Sequence, residues 1–155
     1  MSILVIRGPE HHDRLTSPPP PLPPSVLGAL VQRAACSVQR AGCAGQTLAV
    51  RSCGSTTEVL TALRLANEWG VRATLLDPGA LSDHPLLQRA VQGLTHPYVE
   101  VHDGLGEQEP SLPASTGRRL AVVDGYGARS YALALEIALE QLGCAECECD
   151  VHVGT

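Results

Sequence analysis

Pro97-Tyr98-Val99-Glu100-Val101-His102-Asp103-Gly104 is a short β-branched run that ends in a carboxylate and an imidazole and then breaks at glycine. Side chains two apart on a strand point to the same face, so Glu100 and His102 look the same way at the carboxyl end of the strand. In open parallel α/β sheets that end is where ligands bind. A carboxylate beside a histidine fixes the ring's tautomer and favours its protonated form, which suits a general acid. The plainer reading is a surface pair at a strand end, and the rest of the chain decides between the two.

Upstream and downstream of this stretch, short apolar runs alternate with segments of helical periodicity. Residues 3–7 read as the first strand, and Gly8-Pro9-Glu10 turns the chain sharply. The loop 11–24 carries Pro18 to Pro21, Pro23 and Pro24, so it reads as an extended polyproline surface segment; a proline-binding partner is a second reading. A helix capped by Ser25 is expected over 25–41, followed by a strand at 47–51. Ser55-Thr56-Thr57-Glu58 has capping-box spacing and opens a helix to about Trp69. A strand at 71–76, a short helix at 85–92 capped by Asp83, the 97–104 strand, a loop over 103–117, a strand at 120–123 and a helix at 128–142 complete the series.

Five strands alternating with helices predict a parallel sheet covered on both faces, with right-handed crossovers. The flavodoxin-like order 2-1-3-4-5 is the simplest such arrangement. It gathers the ends of strands one, three and four around one crevice, so Glu10, Asp77, Asp83, Glu100, His102 and Asp103 are expected near one another. Crowded carboxylates perturb each other's pKa values, which marks a functional site.

Composition narrows the function classes. With 155 residues, 44% apolar and 17% charged, the chain is large enough for one well-packed domain and is not of disordered type. A formal net charge of -5 with no basic face argues against nucleic acid, and the apolar runs are too short for a membrane span. The first residues read as a strand and not as a basic-headed leader, so a cytoplasmic location is expected. All 11 basic residues are arginine. Without lysine there is no lysine Schiff base and no phosphate-loop lysine. Cys36, Cys43 and Cys53 read as reduced thiols, mostly buried, while Cys144, Cys147 and Cys149 crowd a tail at 143–155 beyond a domain at 1–142.

Several blocks together carry a family resemblance. Ile3-Leu4-Val5-Ile6-Arg7-Gly8-Pro9 resembles the opening strand of type II 3-dehydroquinate dehydratases, and Asp77-Pro78-Gly79-Ala80-Leu81 resembles that family's Asn-Pro-Gly-Ala turn. Val99-Glu100-Val101-His102 is similar to its Glu-x-His strand. Asp124-Gly125-Tyr126-Gly127, followed by Tyr131-Ala132-Leu133-Ala134-Leu135, is similar to its closing glycine turn and last helix. The blocks fall in the family's order across residues 1 to about 142. The resemblance implies a flavodoxin-like fold, no cofactor, a small-molecule substrate, and self-association into trimers and a dodecamer. It implies His102 as proton donor to a departing hydroxyl, Glu100 as its orienting partner, and the backbone amides of Asp103 and Gly104 as carboxylate ligands. Such backbone donors survive side-chain substitution.

Other positions depart from that pattern. Glu10 and Asp77 stand where the family has asparagines, and Asp83, next to His84, stands for a histidine. Residues 16–24 replace the loop that carries the family's catalytic tyrosine and its arginine, and contain neither. An acidic stretch at 106–112 replaces an arginine-rich lid, and Ala90 falls near an aspartate that reaches a neighbouring subunit. Losing the base, its activator and the lid arginine implies loss of dehydroquinate dehydration.

Four readings therefore stand side by side. The first is an altered acid–base enzyme (lyase, dehydratase, isomerase or cyclase) acting on a small oxygenated carbonyl compound in a specialised pathway. There Glu10 and Asp77 are candidates for base or substrate contact, and Asp83 and His84 for binding. The second is a catalytically silent subunit. The third is a metal site, formed by Cys144, Cys147, Cys149 and His152 or by Glu10, His11 and His12; it ranks below a solvated tail and a metal-free pocket. The fourth is an active dehydratase in which Tyr126, or less readily Tyr98, supplies the base.

Overall fold

The structure is a computed structural model, and it describes residues 2–12, 15–36, 38–39, 45–104, 110–114 and 116–145. The chain runs β1 (Ile3–Arg7), β2 (Glu10–His12), β3 (Leu15–Ser17), α1 (Pro24–Ala35), β4 (Val38–Gln39), β5 (Leu48–Ser52), α2 (Thr56–Glu68) and β6 (Ala73–Asp77). A single 3₁₀ turn (Gly79–Leu81) leads to α3 (Pro85–Gln92), β7 (Tyr98–His102), β8 (Arg119–Asp124), α4 (Arg129–Gln141) and β9 (Cys144–Ala145).

Five strands form one parallel sheet in the order β5-β1-β6-β7-β8. Counting only these strands, this is the 2-1-3-4-5 order expected from the alternation. Its central strands β1, β6 and β7 are buried along their whole length, which is why they read as unbroken apolar runs. One core packs α2 and α3 against Leu4, Ile6, Leu76 and Tyr98. The other packs α1 and α4 against Ile3, Val5, Leu75, Val99 and Val101.

Local chemistry explains where the elements begin and end. Ser55 caps α2 as expected, accepting from the Glu58 amide at 3.2 Å, while Glu58 Oε2 reaches past the N-cap and accepts from the Gly54 amide at 2.8 Å. Ser25, by contrast, does not cap α1. That helix starts at Pro24, whose ring presets the helical φ, and Pro23 occupies the N-cap with no side-chain hydrogen bond. The helix also stops at Ala35 instead of running to residue 41, and Val38–Gln39 pairs antiparallel with Cys144–Ala145. Nor does Asp83 cap α3: the N-cap is His84, whose Nδ1 accepts from the Leu86 amide at 3.2 Å.

The loop after β1 is not wholly extended, since β2 and β3 pair there as a short antiparallel hairpin with Glu10 opposite Ser17. The proline stretch begins immediately after it. Of the scattered cysteines, Cys53 is buried and Cys36 half-buried, both as free thiols, and burial pushes the Cys53 thiol up to about 11. Cys43, Cys147, Cys149 and His152 lie outside the described residues, as does most of the acidic stretch at 106–112. No helix among the described residues is long and apolar enough to cross a membrane.

Candidate active site

Two turns at the carboxyl ends of β1 and β6 interlock to build the floor of a cavity of about 410 Å³. The Gly8 amide donates to the Asp77 carbonyl at 2.7 Å, and the Ala80 amide donates to the Pro9 carbonyl at 2.9 Å. The turns approach so closely that a Cβ on Gly8 would fall 2.5 Å from the Pro78 carbonyl oxygen. Gly79 is at φ +55°, where its own Cβ would fall 2.4 Å from the Pro9 carbonyl oxygen. Only glycine fits either place.

Glu10, Asp77, Asp83 and Asp103 all line this cavity, together with Ser82 and Pro19. Four of the six residues expected to converge are thus brought to one space. Glu10 is exposed, Asp103 half-buried, and Asp77 buried at 7% exposure. His84 and Gly104 are not among the lining residues. Gly104 instead accepts, through its carbonyl, from the Gly127 amide of the closing glycine turn.

Glu100 and His102 do face the same way, and they are hydrogen-bonded, His102 Nε2 to Glu100 Oε2, at 2.5 Å. Both are fully buried and neither lines the cavity. Glu100 also accepts from Arg119 Nη1 at 3.1 Å and from the Leu112 amide at 3.2 Å. A buried carboxylate is tolerated only when its lone pairs are filled in this way. The tautomer follows: a carboxylate accepts, so Nε2 carries the hydrogen.

Two residues of the site were not singled out from the sequence. Arg7, only 4% exposed, ends β1 beneath the cavity. Its Nε donates to the Tyr131 hydroxyl at 3.0 Å, its Nη2 to Asp103 Oδ2 at 3.2 Å, and its Nη1 to the Pro20 carbonyl. Tyr131 comes from the first turn of α4, fully buried, and its hydroxyl donates to Asp77 Oδ2 at 3.1 Å with Asp103 Oδ2 at 3.4 Å. A signal existed for each. Arg7 is the one charge in an otherwise apolar strand, and Tyr131 shares its helical face with Ala134, Leu135 and Ala138, so its hydroxyl had to meet a buried partner.

The electrostatics centre on Asp77. Burial, then the neighbouring Asp103, push its carboxyl up to about 7, against the pull of the Gly79 amide, the Tyr131 hydroxyl and His102. Burial, with Asp77 and Asp103, also holds the Tyr131 hydroxyl well above its ordinary value. For the Arg7 guanidinium, burial acts downward, but Tyr131 and Asp103 outweigh it and the net direction is up. The tyrosines proposed as substitute bases lie elsewhere. Tyr126 is 59% exposed and is not among the cavity's lining residues. Tyr98 is fully buried at the opposite end of its strand, donating to the Thr116 carbonyl.

A larger groove of about 500 Å³ lies between α1 and α4, but it is lined mainly by apolar side chains and its one carboxylate, Glu136, is paired with Arg33. Acid–base chemistry has its groups at the strand ends. No group of three or more His, Cys, Asp or Glu side chains among the described residues is arranged to hold a metal ion.

Fold and cavity together define a flavodoxin-like α/β protein with its ionisable groups gathered at the carboxyl ends of the central strands, the usual ligand position of such sheets. The chain is 34% identical over 111 residues to the 3-dehydroquinate dehydratase of Pseudomonas savastanoi pv. phaseolicola, covering 69% of this chain and 74% of that protein. It is 32% identical over 127 residues to the 3-dehydroquinate dehydratase of Xanthomonas oryzae pv. oryzae, covering 78% and 86%. The fold matches the type II dehydroquinase of Propionibacterium acnes with a TM-score of 0.61 at 20% identity, over 88% of this chain and 97% of that one. It also matches a 3-dehydroquinate dehydratase-like protein from Bifidobacterium longum with a TM-score of 0.62 at 17% identity, over 92% and 98%. No protein-family model matches the chain. The chain belongs to the type II 3-dehydroquinate dehydratase family.

Proposed function

We propose that this chain is an altered acid–base enzyme of its family, acting on a small oxygenated carbonyl compound that carries no carboxylate. The observation that supports this best is Asp77: a buried carboxyl at the cavity wall, raised to about 7 by burial and by Asp103. A group titrating near neutrality can both take and return a proton, which general acid–base catalysis requires. Glu10 lies on the same cavity wall set and is the second candidate for base or substrate contact. His102, oriented by Glu100, sits beneath, where Asp77 feels its charge.

The substrate class follows from charge. Four carboxyl groups and no cationic side chain are among the described residues that line the cavity, while Arg7 donates to Tyr131, Asp103 and the Pro20 carbonyl. An anionic substrate such as 3-dehydroquinate would be repelled. On this reading the chain works as a self-associated assembly, trimer or dodecamer, with no cofactor.

A second reading, a dehydratase with a substitute base, draws on the Arg7–Tyr131 contact beside the cavity. It is the weaker one, because burial and two carboxylates oppose ionisation of that hydroxyl. The deciding experiment incubates the purified protein, beside its His102→Ala variant, with 3-dehydroquinate and follows enone absorbance. We expect no turnover by either. Turnover by the unmodified protein that disappears in the variant would overturn the reading. Proton exchange into neutral hydroxy-ketones, lost in Asp77→Asn, would support it, and no exchange with any of them would favour a silent subunit.

A further inference from the structure

Four side chains, Arg7, Tyr131, Asp77 and Asp103, meet at one point by the cavity. The Tyr131 oxygen accepts the Arg7 Nε–H at 3.0 Å, and its single hydrogen has two carboxylate oxygens in reach, Asp77 Oδ2 at 3.1 Å and Asp103 Oδ2 at 3.4 Å. One hydrogen cannot serve both. A phenolic oxygen has two lone pairs, so with Arg7 on one the other is open to a donor.

We propose that Tyr131, clamped by Arg7, is a positioning residue in a hydrogen-bond relay: its hydroxyl turns from Asp77 to Asp103 when Asp77 takes a proton from the cavity and turns back when Asp77 returns it, while Asp103 stays paired with Arg7. This rests on reading the cavity as an acid–base site. When Asp77 is ionised, the Tyr131 hydroxyl donates to Asp77 Oδ2. When Asp77 takes a proton from a substrate onto Oδ2, that O–H donates to the Tyr131 oxygen, and the Tyr131 hydrogen turns to Asp103 Oδ2. No bond to carbon changes within the relay; the substrate loses one proton and Asp77 gains it. Returning the proton reverses both turns.

Arg7 decides which carboxylate keeps the charge. Its Nη2 donates to Asp103, while no Arg7 donor reaches Asp77, whose other oxygen accepts only the Gly79 amide at 2.9 Å among the bonds described. Protonating Asp77 therefore gives up one neutral donor, whereas protonating Asp103 would waste an ion pair. The charged and titratable groups around Asp77 are His102 at the end of β7, Asp103 just after it, Tyr131 from α4, and Glu10 and Asp83 on the same cavity. Two carboxylates with different surroundings are the usual way one site holds an acid and a base at once.

The test needs no substrate. The carboxyl of Asp77 is titrated by ¹³C NMR in protein labelled at aspartate, with Asp77→Asn assigning the signal. We expect a midpoint near neutrality in the unmodified protein, moved down by about one pH unit or more in Asp103→Asn and up by a similar amount in Tyr131→Phe. A midpoint near the ordinary aspartate value of about 4, or one that neither variant moves, overturns the relay. Because folding and titration are read without turnover, a silent protein with this titration would refute the enzyme reading alone. Turnover with an unmoved midpoint would refute the relay alone.

Discussion

Glu100 Oε2 stands 2.5 Å from His102 Nε2 with neither side chain exposed to solvent. The pair lies in the middle of the sheet, between β6 and β8, and is completed by Arg119 from the neighbouring strand and the Leu112 amide. Glu100 thus ties β7 to β8 and to the loop that precedes it. Its removal takes a buried acceptor away from the His102 imidazole, the Arg119 guanidinium and the Leu112 amide at once. Glu100→Ala should cost about 3–5 kcal/mol, read by urea denaturation, with Glu100→Gln costing less because it keeps an acceptor.

Asp77 makes stability depend on pH in a definite direction. Its carboxyl is raised from 3.8 to about 7 on folding, so between those values the folded state binds more protons than the unfolded one. Stability is then full below about pH 4 as far as this group is concerned, falls as pH rises through neutrality, and levels off above. Asp77→Asn removes the dependence. It should stabilise the protein at pH 8 by on the order of a few kcal/mol and change little near pH 4, in paired denaturant melts.

The interlocked turns give a prediction about shape. A methyl group on Gly8 collides with backbone atoms of Pro78 and Asp77, which belong to a turn that cannot retreat without moving Asp77. Gly8→Ala should cost about 1–3 kcal/mol and displace the Asp77 titration, both measurable on one sample. Preserved stability with an unmoved carboxyl signal would show that the turns are looser than described.

Tyr98 separates a structural tyrosine from a working one. Its hydroxyl donates to the Thr116 carbonyl at the far end of β7, and burial pushes its pKa up to about 12. Tyr98→Phe should lower stability by about 1–3 kcal/mol in a thermal melt and leave ligand binding at the cavity unchanged.

The head of α2 offers a control remote from the site. Ser55→Ala removes the side-chain acceptor at the N-cap and should cost about 1 kcal/mol with no effect on the Asp77 titration.

What the sequence determined by itself was the frame. The alternation of apolar runs with helical periods dictates a doubly covered parallel sheet, because both faces of β1, β6 and β7 must be buried. That frame places Glu10, Asp77, Asp83 and Asp103 at the carboxyl ends of the central strands, and period-two geometry brings Glu100 to His102. Several local ends escaped this reading. Pro24 rather than Ser25 starts α1, and His84 rather than Asp83 caps α3, since any of several polar or proline residues satisfies the same local rule. Tertiary structure alone decided which expected residues reach the cavity. Glu100, held by the Leu112 amide, and His102 are shut away from solvent, while Arg7 and Tyr131, 124 residues apart, meet beside Asp77. Periodicity shows which face a side chain leaves by. What it meets there depends on which strand lies next to which, and a buried hydrogen bond between distant residues leaves no spacing in the chain to read.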